Sequence, residues 1–396
     1  MSVDRADVFK AGRLAATLSR TAEGVSFAYV DDYLRARHAA VATTLPLTDR
    51  PRITAAGAVP PFFAGLLPEG RRLTNLRQAI KTSADDELSL LVAVGADPIG
   101  DVQVLPSGEV PSDVVSVVNV TKSFDSIRFA DLLTDAGIVD PIGIAGIQDK
   151  VSARMLSLPV KRAHERFILK LNPPEFPHVV ENEAFFLALA RRSRIPTVAS
   201  EIVHDADGRS GLLVTRFDRV RRDGAAHGLA VEDGCQVLDL WPADKYNVSM
   251  ERCANALADL CAARPIAARD IFRQTVFAWL TGNGDLHAKN ISVLQTPDGE
   301  WRVAPAYDLP STVPYRDTTF ALPVGGKRTG ISRRVLIEFA ARIGLREAAA
   351  QSALARLIDA TADLDQLLEN AGLPLDSASI QRTRRELAFR RRQLLA

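Results

Sequence analysis

The chain has 396 residues, 47% of them hydrophobic and 24% charged, with a net charge of +1. That length exceeds one ordinary core and implies two or three domains. The composition excludes a disordered chain, and the near-neutral charge leaves any nucleic-acid or membrane affinity to local patches. Three cysteines, Cys235, Cys253 and Cys261, are too few for a disulfide framework and lack zinc spacing, so a reducing, cytoplasmic location is expected. Cys253 and Cys261 lie in an Ala-rich helical stretch and read as buried structural thiols. Met1–Arg20 interleaves charges with apolar residues, so no secretory leader is expected, and no apolar run is long enough for a membrane span.

Up to about Pro106 the pattern is mixed. Val25–Val30 alternates like a strand, Pro60-Pro61 breaks the chain before Phe62-Phe63, and a helix is predicted from about Arg71 to Lys81. Ser83-Ala84-Asp85-Asp86-Glu87 reads as a Ser-capped helix start leading into Leu88–Val94. Residues 107–125 read as a linker with extended pieces. Pro141–Val220 reads as a small β-rich lobe, with a strand at Phe167–Leu171, a helix at Glu181–Arg192 and a hairpin over Glu201–Phe217 turning at Asp207-Gly208. From about Gln236 the chain is mostly helical, with segments at 251–263, 333–342, 346–360 and 378–394. The break is at 281–330, where Pro297-Asp298-Gly299 turns Ile291–Leu294 into Trp301–Val303.

Inside that break lies Asp285-Leu286-His287-Ala288-Lys289-Asn290, followed by Asp308. An Asp and an Asn five positions apart can face one reaction centre from a single loop, and a later Asp can close a magnesium site with the Asn. Mg²⁺ takes oxygen ligands, commonly one or two side chains plus phosphates and water. In this reading Asp285 accepts the proton of the attacking hydroxyl, and Asn290 and Asp308 hold Mg²⁺ against ATP. His287 reads as structural or hydrogen-bonding rather than as an acid–base group. Lys289 is open between stabilising phosphoryl charge and a solvated face.

Other residues extend the set. Lys170 lies on a strand otherwise made of Phe, Ile and Leu, where a lysine is costly unless an anion meets it. It is either an edge lysine reaching water or a phosphate-binding strand lysine. The acidic helix that follows offers Glu183 as its partner, with Glu181 as the alternative. Gly143-Ile144-Ala145-Gly146-Ile147-Gln148-Asp149-Lys150 is either a plain turn or a loop whose backbone N–H groups approach phosphate. Thr215-Arg216-Phe217-Asp218-Arg219 leaves the small lobe, where Phe217 packs either on a purine or in ordinary core. Gly325-Gly326-Lys327-Arg328 is a basic turn, at the surface or facing substrate. The last helix carries Arg382, Arg384, Arg385, Arg390, Arg391 and Arg392 against Glu386 alone. That run is a solvated face or a contact for nucleic-acid phosphates, with Arg382, Arg384 and Arg385 as the candidates.

Together these motifs resemble the HipA family of bacterial serine/threonine kinases, the toxin half of type II toxin–antitoxin pairs. The resemblance rests on Gly-Ile-Ala-Gly-Ile-Gln-Asp-Lys (143–150), Phe-Ile-Leu-Lys (167–170), Glu-Asn-Glu (181–183), Arg-Phe-Asp-Arg (216–219) and Glu-Asp-Gly-Cys-Gln (232–236). Gly-Asp-Leu-His-Ala-Lys-Asn (284–290), Tyr-Asp-Leu (307–309) and Gly-Gly-Lys-Arg (325–328) complete the kinase part. Gly12-Arg13-Leu14, Phe62–Gly70 and Gly95–Asp101 are similar to the family's extra N-terminal subdomain. The resemblance implies an α+β, protein-kinase-like two-lobed fold with an additional α/β N-terminal subdomain: 1–125 N-terminal subdomain, 126–235 small lobe, 236–396 helical large lobe.

It further implies ATP and Mg²⁺, with Gly143, Ile144, Ala145, Gly146, Ile147, Gln148, Lys150, Lys170, Thr215, Phe217, His287, Lys289, Asn290 and Asp308 around the nucleotide. The implied protein substrate is an aminoacyl-tRNA synthetase, the glutamyl enzyme first, whose phosphorylation stalls translation and favours dormancy. The implied partners are a helix-turn-helix antitoxin and, through it, operator DNA. Gly143 stands where family members often carry an autophosphorylated serine, Ser152 lies beyond the loop, and Thr215 stands where an acidic residue is common. The rival reading is a non-catalytic co-repressor that uses its Arg-rich last helix on DNA. A third reading, a small-molecule phosphotransferase, shares the same loop.

Overall fold

The computed structural model describes residues 3–111, 118–119, 123–135, 156–162, 165–222 and 225–395. It is α+β, built around three sheets of three or more strands and a mostly helical C-terminal part.

The first sheet is antiparallel, in the order β4-β3-β2-β1-β5. Strands β1 (Arg5–Lys10) and β2 (Arg13–Thr21) form a hairpin through Ala11-Gly12, both at positive φ (48° and 77°). Alanine is uncommon in that conformation, which hides this hairpin from a reading based on turn residues. Strands β3 (Gly24–Tyr29), β4 (Arg52–Thr54) and β5 (Val102–Pro106) complete the sheet. Val8, Leu18, Val25 and Phe27 share a core with Phe62, Phe63, Leu88 and Leu91. The helix expected at Arg71–Lys81 spans Gly70–Ile80. The next one, Glu87–Val94, is capped by Asp86, whose carboxylate accepts from the Ser89 N–H (3.1 Å). The predicted cap, Ser83, instead accepts from the Asp85 N–H in the preceding turn (3.2 Å).

The second sheet is ordered β6-β7-β8-β10-β9. It comprises β6 (Val118–Asn119), β7 (Leu156–Arg162), β8 (Glu165–Leu171), β9 (Ser200–His204) and β10 (Ser210–Thr215). The β9–β10 hairpin is the one expected at Asp207-Gly208. Lys170 pairs with Leu212 and Leu169 with Leu213. Alternation along a strand then sets Ile168, Lys170, Leu212 and Val214 on one face and Phe167, Leu169, Leu213 and Thr215 on the other. Leu212 and Val214 join the core of helix Val179–Arg192, whereas Phe167, Leu169 and Leu213 pack with Phe124, Phe129 and Leu132.

After the ribbon β11 (Arg219–Arg222) and β12 (Ala225–Gly228), β13 (Val231–Asp233) pairs with β14 (Ser292–Gln295), which pairs with β15 (Trp301–Val303). Helices Met250–Leu260, Arg264–Thr281, Arg333–Arg342, Glu347–Ala360, Leu364–Asn370 and Ser377–Leu395 form the large lobe. Arg264–Thr281 is its central helix: every residue from Gln274 to Thr281 is buried. That half is covered on all sides and carries no apolar stripe, so periodicity does not mark its bounds. Among the described residues no helix is long and apolar enough to cross a membrane.

Candidate active site

The central helix stops at Gly282, which has φ 69° and no room for a Cβ (Val313 Cγ2 would lie 2.6 Å away). The chain turns there into Asn283-Gly284-Asp285. Asp285 is fully buried. Its N–H donates to Asn283 Oδ1 (2.8 Å), and its carbonyl accepts from the His287 N–H (2.8 Å) and Asn290 Nδ2 (2.9 Å). Tyr246 Oη donates to its carboxylate (3.0 Å). With Asn290 Nδ2 committed to that carbonyl, Oδ1 is the side-chain atom left to meet a cation.

Asn283 has a second role. Its Nδ2 donates to the Asp308 carbonyl (3.2 Å), so one buried amide ties the backbones of both aspartates. Asp308 itself sits at φ 51°, an uncommon conformation for a non-glycine residue that recurs at functional sites. Just beyond it, the Asn182 side chain exchanges two hydrogen bonds with the Ser311 backbone, both 2.9 Å. Helix Val179–Arg192 thereby fixes the Asp308 segment.

The same helix presents Glu183 to Lys170. Lys170 Nζ donates to both Glu183 oxygens (2.7 and 3.0 Å) and also pairs with Asp308. Glu181 points elsewhere, accepting from Asn172 Nδ2 (2.9 Å). Burial would lower the Lys170 pKa, but the Asp308 and Glu183 carboxylates hold the ammonium above its usual range. Burial pushes the Glu183 carboxyl upward against the pull of Lys170, with Asp308 adding to the rise.

His287 is buried, its ring edge-on to Tyr246 (5.1 Å) and Nε2 3.9 Å from Asp285 Oδ1. Nδ1 has no hydrogen-bond partner among the described residues. Burial, then the Lys245 ammonium, pushes its pKa down to about 3, so the ring stays neutral. Lys289 is not solvated. Its ammonium donates to the Gly65 carbonyl (2.9 Å) and pairs with Glu69 Oε1 (3.0 Å), both on the N-terminal subdomain. Burial alone would lower Lys289, but Asp233 and Glu69 hold it above its usual value. Phe217 stacks on Tyr307 (5.7 Å between centroids). The Thr215 side chain is on the sheet face opposite Lys170, and its N–H donates to the Ala199 carbonyl (2.8 Å). A groove of about 520 Å³ lined by Arg162, Phe167, Leu213 and Thr215 opens on that far face, away from the aspartates. Gly143, Ile144, Ala145, Gly146, Ile147, Gln148 and Lys150, like Ser152, lie outside the described residues.

The basic turn at 325–328 reaches the site: Arg328 Nη2 donates to the Tyr246 carbonyl (2.9 Å). Several arginines of the last helix have partners within the chain. Arg382 donates to the Val313 and Pro314 carbonyls (3.3 and 2.6 Å), and Arg384 pairs with Asp365 and Glu369 (2.7 and 3.1 Å). Arg390 is buried 4.2 Å over the Trp279 ring. Of the three DNA candidates, Arg385 alone is exposed. Asn283, Asn182, Tyr246 and Glu69 were not singled out from the sequence. Asn283 adjoins a quoted motif and Asn182 and Glu69 lie within quoted ones, but their roles, like that of Tyr246, depend on contacts that only the folded chain creates.

Residues 142–364 match the HipA-like C-terminal domain, and residues 6–105 match the HipA N-terminal domain. The chain belongs to the HipA family. It is 29% identical to the putative kinase Y4mE of Sinorhizobium fredii over 96% of both chains. It is 27% identical to the serine/threonine-protein kinase toxin HipA of Shewanella oneidensis over 65% of this chain and 64% of that one. A solved structure of the Shewanella oneidensis MR-1 HipA, HipB and operator DNA complex has a chain that superposes with a TM-score of 0.79 at 22% identity, covering 98% of this chain and 97% of that one. That likeness fixes the fold.

Proposed function

We propose that this HipA-family chain is an ATP- and Mg²⁺-dependent serine/threonine protein kinase that acts as a toxin. The observation that carries the reading is the convergence of Lys170, Glu183 and Asp308 opposite a loop that offers Asp285 and Asn290. The donor set fits the cation: a carboxylate and an amide oxygen are hard ligands of the kind Mg²⁺ takes. The magnesium nucleotide supplies the phosphoryl group and neutralises charge as it is transferred. Asp285 orients the acceptor hydroxyl and takes its proton, help worth roughly 10²–10⁴ in rate. Asn290 and Asp308 hold the metal. Lys170, steadied by Glu183, meets phosphate oxygens. The same reading divides the chain at about residues 125 and 235 into an N-terminal subdomain, a small lobe and a large lobe.

The protein acceptor in this reading is an aminoacyl-tRNA synthetase, the glutamyl enzyme first, and the outcome is arrested translation. A helix-turn-helix antitoxin restrains the kinase, and the pair holds operator DNA. The HipA, HipB and DNA assembly of the Shewanella relative supports this partnership. The test is direct: incubate the purified chain with Mg²⁺, ATP and each host synthetase, and weigh the products. One synthetase gaining a single phosphoryl mass supports the target class. No gain on any synthetase, alongside labelling of another protein, removes it.

A further inference from the structure

Glu69 closes the N-terminal subdomain onto the catalytic loop. It precedes helix Gly70–Ile80, more than two hundred residues before Asp285. Its carboxylate pairs with Lys245 and, at 3.0 Å, with Lys289. Each lysine leads to Asp285 by a short route. Lys245 precedes Tyr246, whose hydroxyl donates to the Asp285 carboxylate (3.0 Å), and the Lys245 carbonyl accepts from the Ala288 N–H (3.2 Å). Lys289 lies on the loop itself, beside Asn290, and also donates to Gly65 (2.9 Å). The links form a ring: Glu69, Lys245, Tyr246, Asp285, Lys289 and back to Glu69.

Glu69 is not needed merely to attach the subdomain. Arg52 pairs with Asp239, Thr43 donates twice to Glu232, and Gln236 donates to the Phe62 carbonyl. On the other side Asp97 pairs with Arg166, Arg216 and Arg219. Against that background, both ion-pair partners of Glu69 flank the proposed base. We propose that Glu69 is a positioning residue for phosphotransfer, holding the Lys245–Tyr246 segment and the 285–290 loop in their working register from the N-terminal subdomain. The proposal rests on the reading of Asp285 as the base.

The consequence is that docking of residues 62–69 gates activity without touching the nucleotide. Two lysines released from one carboxylate let the loop and Tyr246 drift, and misplacement of about 1 Å costs on the order of 100-fold in rate. The experiment compares wild type, Glu69→Gln, Lys245→Met and Asp285→Ala. Radiolabel transfer from ATP to a fixed lysate gives maximal rate and apparent KM for ATP. Hydrogen exchange on the nucleotide-free protein reports the loop. Glu69→Gln is expected to lower the maximal rate about 10- to 100-fold and leave the apparent KM for ATP within about twofold, with faster exchange confined to 284–290 and 245–247. A wild-type rate in Glu69→Gln overturns the proposal. If exchange in that variant rises throughout both lobes, Lys245→Met decides, because it leaves Glu69 paired with Lys289 and no buried cation unpaired. A reduced rate there supports the proposal, and a normal one overturns it. Full activity in Asp285→Ala overturns the base assignment itself, and this proposal with it.

Discussion

Lys170 grips Glu183 with two hydrogen bonds, 2.7 and 3.0 Å, across the seam between the lysine strand and the following helix. With Asp308 as a third member the cluster holds two carboxylates and one ammonium; Lys170 and Glu183 are buried, and the Asp308 side chain is 26% exposed. Of its two carboxylates, Asp308 is the one that the proposed reading gives to a magnesium ion, while burial favours the protonated form of Glu183.

Lys170→Met leaves Glu183 and Asp308 without their shared cation. Removing one partner of a buried pair costs about 3–5 kcal/mol. Glu183→Gln leaves Lys170 paired with Asp308 and is expected to cost less. Urea unfolding of the two variants checks the order, and equal stability in both would contradict the cluster's described balance. Both variants are expected to lose phosphotransfer.

Acid sensitivity has a specific source in His287. The unfolded imidazole takes a proton below about 6.5, while the folded one stays neutral down to about 3. Between those values the unfolded state binds more protons, so stability falls as pH falls, by up to about 1.4 kcal/mol per unit. Above pH 6.5 the contribution is flat. His287→Gln is expected to flatten the slope between pH 6.5 and the acid limit, measured by denaturant unfolding at several pH values. An unchanged slope would show that the ring is not held neutral.

Much of this site was legible early because kinase-type chemistry needs its residues at fixed local spacing. Asp285, Asn290 and Asp308 share one stretch of chain, and Lys170 stood out as a charge within an apolar strand. The choice of Glu183 over Glu181 required the actual rotation of the helix. Lys289 was open between two readings because its partners, Gly65 and Glu69, come from a subdomain over two hundred residues earlier. The central helix Arg264–Thr281 falls in the stretch read as mostly helical, but its bounds were not legible because the buried half, Gln274–Thr281, carries no apolar stripe. The arginines of the last helix could not be told apart as a run: composition shows charge, and only packing shows that Arg382, Arg384 and Arg390 have partners within the chain.

Asn283→Ala cuts the tie between the Asp285 and Asp308 backbones. The expected result is a loss of about 10- to 100-fold in maximal rate, with Asn283→Asp recovering part of it through the retained Oδ acceptor for the Asp285 N–H. Initial rates of label transfer check this. Wild-type rates in Asn283→Ala would show that the amide does no positioning.

Arg390 and Arg385 separate stability from binding. Arg390 is fully buried, donating to the Trp279 and Thr318 carbonyls (3.2 and 2.6 Å) and to Glu386 (2.7 Å). Arg390→Ala should destabilise by about 3–5 kcal/mol. Arg385→Ala should leave melting unchanged. If the exposed side of the helix meets operator DNA, Arg385→Ala lowers the affinity of the antitoxin complex and reduces its salt slope by about one ion. No change in either leaves that side a solvated surface.

The central claim is that Asp285 and Asp308 carry phosphotransfer, and one measurement reaches it most directly. Wild type, Asp285→Ala and Asp308→Ala are incubated with Mg²⁺, labelled ATP and cell lysate, with circular dichroism confirming that each is folded. The account predicts that wild type labels protein serine or threonine and that neither folded variant does. Undiminished labelling by both variants would contradict it.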